Sequence, residues 1–187
     1  MLRSDVFVLL DDVQFSSGSY TNRVRIRSRN NGTEWLTIPV YRKTQLISEV
    51  EIAGWEHTKR KLLNKLNANY SGCKHFNELY LFLQRLFDLD HRMLINLNVD
   101  IINLARLWFG IGTTVKFSSL ILEYNGDATG RLIAIVKELG GDMYYSGTGG
   151  EFYQSIERFN ECGIPVKMTD FQHPVYDQGE KGFATGS

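Results

Sequence analysis

Several polar segments of the chain carry residue types suited to chemistry on an anionic small molecule. The first is Asp11-Asp12-Val13-Gln14, which directly follows an apolar run and so leaves the carboxyl end of a predicted strand. Open α/β sheets hold their ligands at such strand ends. Asp11 and Asp12 can hold Mg²⁺ or act as a general base, and Gln14 can orient a substrate. The alternative is that these aspartates only form a turn or cap a helix.

Arginines cluster on a predicted hairpin that follows the acidic pair. Guanidinium groups bind phosphate or carboxylate at two points, so Asn22, Arg23 and Arg25 are predicted to bind a phosphorylated substrate. Arg27 and Arg29 lie farther from the acidic pair in sequence and are expected to be solvated.

A glycine-rich turn joins a predicted strand to a predicted helix in the last third of the chain. Backbone N–H groups and the helix dipole make such a turn an anion site. The spacing matches neither the dinucleotide-binding pattern nor the P-loop, so the glycines can instead serve the backbone alone. The predicted substrate-binding residues here are Ser146, Gly147, Gly149, Gly150 and Tyr153.

His173 follows the last predicted strand and is the histidine predicted to act as an acid or base. Tyr176, in the same segment, is predicted to contact substrate. The remaining histidines, His57, His75 and His91, sit at helix starts or in a loop, and surface or capping roles are expected for them. The sequence contains no serine elbow and no Cys–His pair that can be placed together, so nothing in it supports covalent catalysis.

The amino-acid composition limits the binding partners and the location that can be expected of this protein. The chain has 21 Lys+Arg and 21 Asp+Glu, so its zero net charge does not favour binding to nucleic acid or to an anionic membrane. Cys73 and Cys162 lack the spacing of a metal site and fit a reducing compartment. No apolar run reaches membrane-spanning length and no secretion signal is present, so we expect a cytoplasmic protein.

Hydrophobic periodicity predicts an α/β fold of one domain, residues 1–187. It is a mainly parallel sheet built from βαβ units, with an antiparallel hairpin and a helical insertion at about residues 55–109. The first strand, an unbroken apolar run, is expected to be buried on both faces. The predicted strands are 5–10, 23–29, 33–40, 114–118, 142–145 and 165–171, and the predicted helices are 55–69, 76–88, 91–109, 128–139 and 151–160.

The register of the hairpin can be predicted from its apolar residues. A three-residue turn that closes on Arg29 and Thr33 collects the aliphatic residues on one face, whereas a two-residue turn would mix arginine with leucine and isoleucine. The predicted register leaves the arginines on the other face and places Trp35 opposite Arg27, where a guanidinium can stack on the indole.

These segments, in this order, resemble the WbqC-like family of bacterial proteins, typically encoded among genes for surface-polysaccharide and O-antigen (lipopolysaccharide) biosynthesis. The resemblance covers almost the whole chain. Family members usually begin with a strand and a QP-x-x-x-P segment before the first strand seen here, and they continue beyond HPVYDQ, so we expect the sequence to be truncated at both ends. The motifs that carry the resemblance are DVFVLLDDVQF (5–15), Asn22-Arg23 with Ile26, WLTIPV (35–40), Tyr70, YYSGTGG (144–150) with Tyr153, and HPVYDQ (173–178).

The resemblance implies a group transferase that adds a glycine-like aminoacyl group, or another acyl group, to a nucleotide-linked or lipid-linked sugar. One alternative is a nucleotidyltransferase-like enzyme that activates a carboxylate with ATP and Mg²⁺. Another is a non-catalytic partner of a polysaccharide assembly complex, with the arginine face and Trp35 as its interface. The two hypotheses with a small-molecule substrate, the transferase and the nucleotidyltransferase-like enzyme, require that the loops after separate strands converge at one edge of the sheet.

Overall fold

The computed structural model describes residues 1–30, 32–41, 45–147, 154–169, 172 and 174–176. Within this part the fold is mixed α/β, as predicted, with two parallel strand pairs, an antiparallel hairpin and five α-helices. The strands are β1 (Val6–Leu9), β2 (Arg23–Arg27), β3 (Thr33–Thr37), β4 (Thr114–Phe117), β5 (Tyr144–Gly147) and β6 (Val166–Thr169). The helices are α1 (Trp55–Tyr70), α2 (Phe76–Phe87), α3 (Leu94–Trp108), α4 (Ala128–Glu138) and α5 (Ile156–Glu161).

The chain divides into two compact units. The first comprises Met1–Asp11 and Ile111–Gln172, and the second comprises Asp12–Gly110 and His173–Ser187. The parallel pairs belong to the first unit, and the hairpin with the three helices of the middle segment belongs to the second. Whether the chain behaves as one domain stays a prediction.

The first unit is built from βαβ connections. β1 pairs in parallel with β4, and β5 pairs in parallel with β6 through the crossover helix α5. Its core consists of apolar side chains from α4 that pack with Phe159 and Ile164, and the Tyr144 ring stacks on Phe159 with centroids 5.0 Å apart. The β1 side chains are half-buried and not buried on both faces as expected, because among the described residues β1 pairs with β4 alone.

Helices α4 and α5 are joined at their amino ends by one carboxylate. Asp127 caps α4 by accepting a hydrogen bond from Gly130 N at 3.0 Å. Its two oxygens also accept from the Arg158 guanidinium of α5, at 2.7 and 3.1 Å. Helix α5 begins at Ile156, later than predicted, because the Ser155 hydroxyl caps it by accepting from Arg158 N.

The second unit packs its helices around an apolar core that includes Phe15, Val50, Trp55, Leu62 and Leu94. The Trp55 indole N–H donates to Leu89 O at 2.9 Å, which anchors the start of α1 to the end of α2. The three helices occupy the span predicted for the helical segment. No helix in the described part of the chain has the length and hydropathy needed to cross a bilayer.

The hairpin has its predicted faces but a different register. Arg27 pairs with Thr33 and Arg25 pairs with Trp35, so the expected pairing of Arg27 with Trp35 is wrong. The turn closes where Ser28 N donates to Gly32 O at 3.0 Å, and Gly32 takes a positive φ of 74° that glycine adopts without strain.

The end of α1 explains the shift of two residues. Asn69 Oδ1 accepts from Arg29 N at 2.7 Å, and the Tyr70 hydroxyl accepts from Arg27 N at 2.8 Å. Because these N–H groups are bonded to the helix, Arg29 is withdrawn from the strand pairing in which the sequence placed it. On the aliphatic face Ile26 is buried, whereas Val24 is 49% exposed.

Removing the Tyr70 hydroxyl tests this anchor. We expect Tyr70→Phe to lower the free energy of unfolding by about 1 kcal/mol, because Arg27 N–H loses its acceptor. The matched control is Tyr80→Phe, since the Tyr80 ring packs on Phe76 and its hydroxyl has no partner among the described residues. Urea denaturation measures both variants, and equal stabilities would contradict the anchoring role.

Acid should weaken the junction between α4 and α5. The Arg158 guanidinium and the Gly130 N–H lower the pKa of Asp127 from 3.8 to about 2. Because the folded pKa is depressed, the stabilisation is present above pH 3.8 and is lost as the pH falls toward 2. Arg158→Gln should raise the pKa of Asp127 toward 3.8, as measured by NMR titration. An unchanged titration would exclude the pair as the cause.

Candidate functional site

Two arginines and two aromatic rings lie together on the outer face of the hairpin. Because Arg25 pairs directly with Trp35, their side chains leave the same face of the strands. The Arg23 guanidinium lies over the Trp35 ring at 4.1 Å from its centroid, and that of Arg25 lies at 5.6 Å. The Tyr20 ring is 5.7 Å from Trp35. We call these four residues the arginine–tryptophan cluster.

Asn22 ties the start of β2 to Ile38, the residue that follows β3. It is 6% exposed, and its side-chain N–H donates to Ile38 O at 3.1 Å. Its backbone C=O accepts from Ile38 N at 2.8 Å, which extends the strand pairing. The side-chain Oδ1 is buried and has no hydrogen-bond partner among the described residues.

The loop before β2 holds the Arg23 side chain in place. Gly18 has a φ of 76°, and a Cβ placed there would lie 3.6 Å from the Arg23 guanidinium carbon. The guanidinium therefore has Trp35 and the Gly18 backbone as neighbours. Arg23 and Arg25 form no ion pair with any carboxylate in the described ranges, so their charge is not neutralised there. The sequence predictions for Arg23 and Arg25 thus fall on one surface, whereas the alternation of the strand groups Asn22 with Val24 and Ile26.

Asp11, in the first unit, is engaged by neighbouring hydrogen-bond donors. Its oxygens accept from Ser119 Oγ at 2.6 Å, from Ser119 N at 3.0 Å and from Ser118 Oγ at 3.2 Å. Burial alone would raise the pKa of Asp11, but the hydrogen bonds from Ser119 and Ser118 hold it below its usual value. The arrangement suits a carboxylate that caps the 3₁₀ turn Ser118–Leu120 and ties it to β1.

Asp12 and Gln14 open the second unit, and their surroundings differ from those of Asp11. Asp12 is half-buried, and Gln14 is exposed on a short bridge to Leu46. Backbone hydrogen bonds on either side, from Phe15 N to Gln45 O and from Ile47 N to Val13 O, hold this bridge. In the part of the chain that the structure describes, no three acidic, histidine or cysteine side chains are grouped as a metal site.

The glycine turn is described only at its edges. Ser146 is buried, and its hydroxyl donates to Gln154 Oε1 at 3.0 Å, so it braces the two ends of the turn. Gly147 is exposed, with open space where a side chain would stand. The predictions for Gly149, Gly150, Tyr153 and His173 lie outside the described residues.

Tyr176 is exposed in the second unit. Its electrostatic influence reaches Tyr70, whose pKa is raised first by burial and also by Cys73 and Tyr176, against the Arg27 N–H that lowers it. Tyr176 is therefore associated with the carboxyl end of α1.

His91 differs from the surface or capping role expected for it. It is 2% exposed, lies 5.1 Å from the Trp55 ring and is hydrogen-bonded through Nε2 to Asp100 at 2.9 Å. The helix it was expected to begin starts at Leu94, so His91 falls in a connection that packs beneath Trp55.

Tyr20 was missed by the sequence analysis. The signal for it was an aromatic residue two positions before Asn22 in a polar, glycine-containing loop. Only the fold of that loop brings the ring beside Trp35. Convergence of the acidic pair and the glycine turn with the arginine–tryptophan cluster stays a prediction.

A substitution at Asp11 tests whether its carboxylate stabilises the fold. We expect Asp11→Asn to lower the free energy of unfolding by about 1–3 kcal/mol, since an amide nitrogen would face donors that now have an acceptor. Asp5→Asn, at an exposed position of the same unit, should have no effect. Chemical denaturation gives both values, and an unchanged stability in Asp11→Asn would argue against a capping role.

Comparison with known proteins agrees with the motifs. The model of the WbqC-like protein family matches residues 1–186. A Mycobacterium tuberculosis (strain ATCC 25618 / H37Rv) protein named "Uncharacterized protein Rv1507c" is 30% identical over 171 residues, covering 89% of this chain and 73% of its own length. No solved structure gives a significant match. The chain belongs to the WbqC-like protein family.

Proposed function

We propose that this protein is a cytoplasmic transferase of surface-polysaccharide biosynthesis that adds an aminoacyl or acyl group to a nucleotide-linked sugar. The observation that carries the proposal is the arginine–tryptophan cluster. It combines two guanidinium groups without an anionic partner among the described residues and two exposed aromatic rings.

The two guanidinium groups suit a diphosphate. Each offers several N–H donors in a planar array that matches phosphate oxygens. Stacking on Trp35 restrains Arg23 before a ligand arrives, so less side-chain entropy is lost on binding. The negative charge of a diphosphate would offset the repulsion between the two cations.

The aromatic rings suit the rest of such a ligand. Tyr20 and Trp35 are exposed and tilted against each other by 57°, so each presents part of its ring to solvent. A base or the apolar face of a sugar packs on rings of this kind.

The transfer step requires a base. The nitrogen or oxygen of a sugar amine or hydroxyl attacks the acyl carbonyl, a new C–N or C–O bond forms, and the leaving group of the donor departs with the bonding electrons. The proton of the nucleophile passes to a carboxylate or imidazole. The acidic candidates are Asp11 and Asp12, and Asp11 is the poorer base because its oxygens already accept several hydrogen bonds. His173 is the alternative base, and Gln14 would orient the acceptor.

Binding of a uridine diphosphate amino sugar to the full chain tests the proposal by calorimetry. We expect Arg25→Gln to weaken binding at least tenfold, since a hydrogen bond to a charged group contributes about 1.5–3 kcal/mol. Arg25 is exposed, so the variant should fold normally. Arg29→Gln is the matched control, because Arg29 is also exposed on the hairpin but contacts neither Trp35 nor Tyr20.

The result also separates the alternatives. No binding of nucleotide sugars by the wild-type chain would exclude the proposed substrate. Amino-acid-dependent exchange between ATP and pyrophosphate would instead indicate carboxylate activation. Loss of a polysaccharide-assembly partner in Trp35→Ala, without any ligand binding, would indicate a non-catalytic role.

A further inference from the structure

A groove lies in the second unit, along the outer edge of β3. It is a groove of about 450 Å³ between β3 and α1, which we call the β3–α1 groove. Trp35, Thr37 and Pro39 line its strand side, and His57, Lys61 and Lys65 line its helix side. The volume is within the range of small-molecule sites.

The helix side of the β3–α1 groove carries unbalanced positive charge. Lys65 is neutralised by Glu34 at 2.7 Å, but Lys61 has no ion pair or hydrogen bond with a described residue. His57 lies one turn before Lys61 on the same helix. No aspartate or glutamate of the described chain lines the groove. An anionic group would therefore be favoured beside Lys61 and His57.

The strand side offers unpaired backbone groups. Hydrogen bonds between Ser28 and Gly32 and between Asn22 and Ile38 show which residues of the hairpin pair with each other. By the alternation of an antiparallel ladder, the N–H and C=O groups of Trp35 and Thr37 point away from β2. The Lys65 ammonium donates a hydrogen bond to Trp35 O at 2.6 Å. The Trp35 N–H and the backbone groups of Thr37 have no partner among the described residues.

We propose that the β3–α1 groove binds the carrier arm of the acyl donor, an extended amide-containing chain that ends in phosphate, as in coenzyme A. The inference rests on the transferase function proposed above and adds the class of donor. An amide chain can pair with the outward groups of β3 in the manner of an added strand. Its phosphate would lie against Lys61 and His57, and its alkyl segments would cover the apolar side chains of Leu36 and Leu62.

A carrier arm of this kind would contact more of the groove surface than a simple anion would. Inorganic phosphate would use the cations but would leave the strand edge and the apolar floor without a partner. Trp35 is shared between the β3–α1 groove and the arginine–tryptophan cluster, so donor and sugar would bind on either side of one residue. Transfer between two ligands requires such proximity.

Calorimetric titration of the full chain with coenzyme A tests the assignment. We expect binding, with about tenfold weaker affinity in Lys61→Gln because a charge-assisted contact to phosphate is lost. Lys74→Gln is the matched control, since Lys74 is an exposed lysine of the same unit outside the groove. Pantetheine, which lacks the phosphate, should bind more weakly than coenzyme A to the wild type and equally to both variants.

Several outcomes would overturn the assignment. They are no binding of coenzyme A to the wild type, equal affinity in Lys61→Gln and wild type, or an equal loss in Lys74→Gln. Arg25→Gln distinguishes this failure from failure of the proposed function, because it should weaken binding of the sugar nucleotide but not of 4′-phosphopantetheine, which carries the arm and one phosphate without a diphosphate or a base. If the chain binds the sugar nucleotide but not coenzyme A, the assignment of the β3–α1 groove is wrong and the proposed function is not contradicted.

Discussion

The hydrogen bonds from Arg27 N to the Tyr70 hydroxyl and from Arg29 N to Asn69 Oδ1 set the register of the hairpin, and both surfaces described above depend on that register. Moved by two residues to the register predicted from the sequence, Trp35 would meet Arg27 instead of Arg25. The carboxyl end of α1 thus determines which cations gather around the aromatic ring.

The same helix shapes the second surface. α1 holds β3 through Lys65, which bonds both Glu34 and the backbone of Trp35. The Lys65 ammonium, followed by the Asn69 amide, lowers the pKa of Glu34, so this ion pair persists in mildly acidic solution. One helix therefore anchors the hairpin at its end and forms the wall of the β3–α1 groove.

Two carboxylates that look equivalent in sequence receive different environments. Asp11 closes the first unit, where serine donors surround it, and Asp12 opens the second unit, half-buried. A pair of adjacent aspartates predicts a metal site or a base only if both side chains are available. Here neighbouring donors engage Asp11, which makes it a poorer base.

Local sequence determined the element types, the parallel orientation expected of βαβ units, the faces of the hairpin and the family, because these follow from periodicity and from motifs of adjacent residues. Tertiary structure decided the hairpin register, the burial of His91 and the presence of Tyr20 beside Trp35. Each of these depends on hydrogen bonds or packing between residues far apart in the chain. Shifting an antiparallel pair by two residues keeps every side chain on its face, so the hydrophobic pattern could not distinguish the two registers. The hydrogen bonds between α1 and the hairpin do distinguish the two registers.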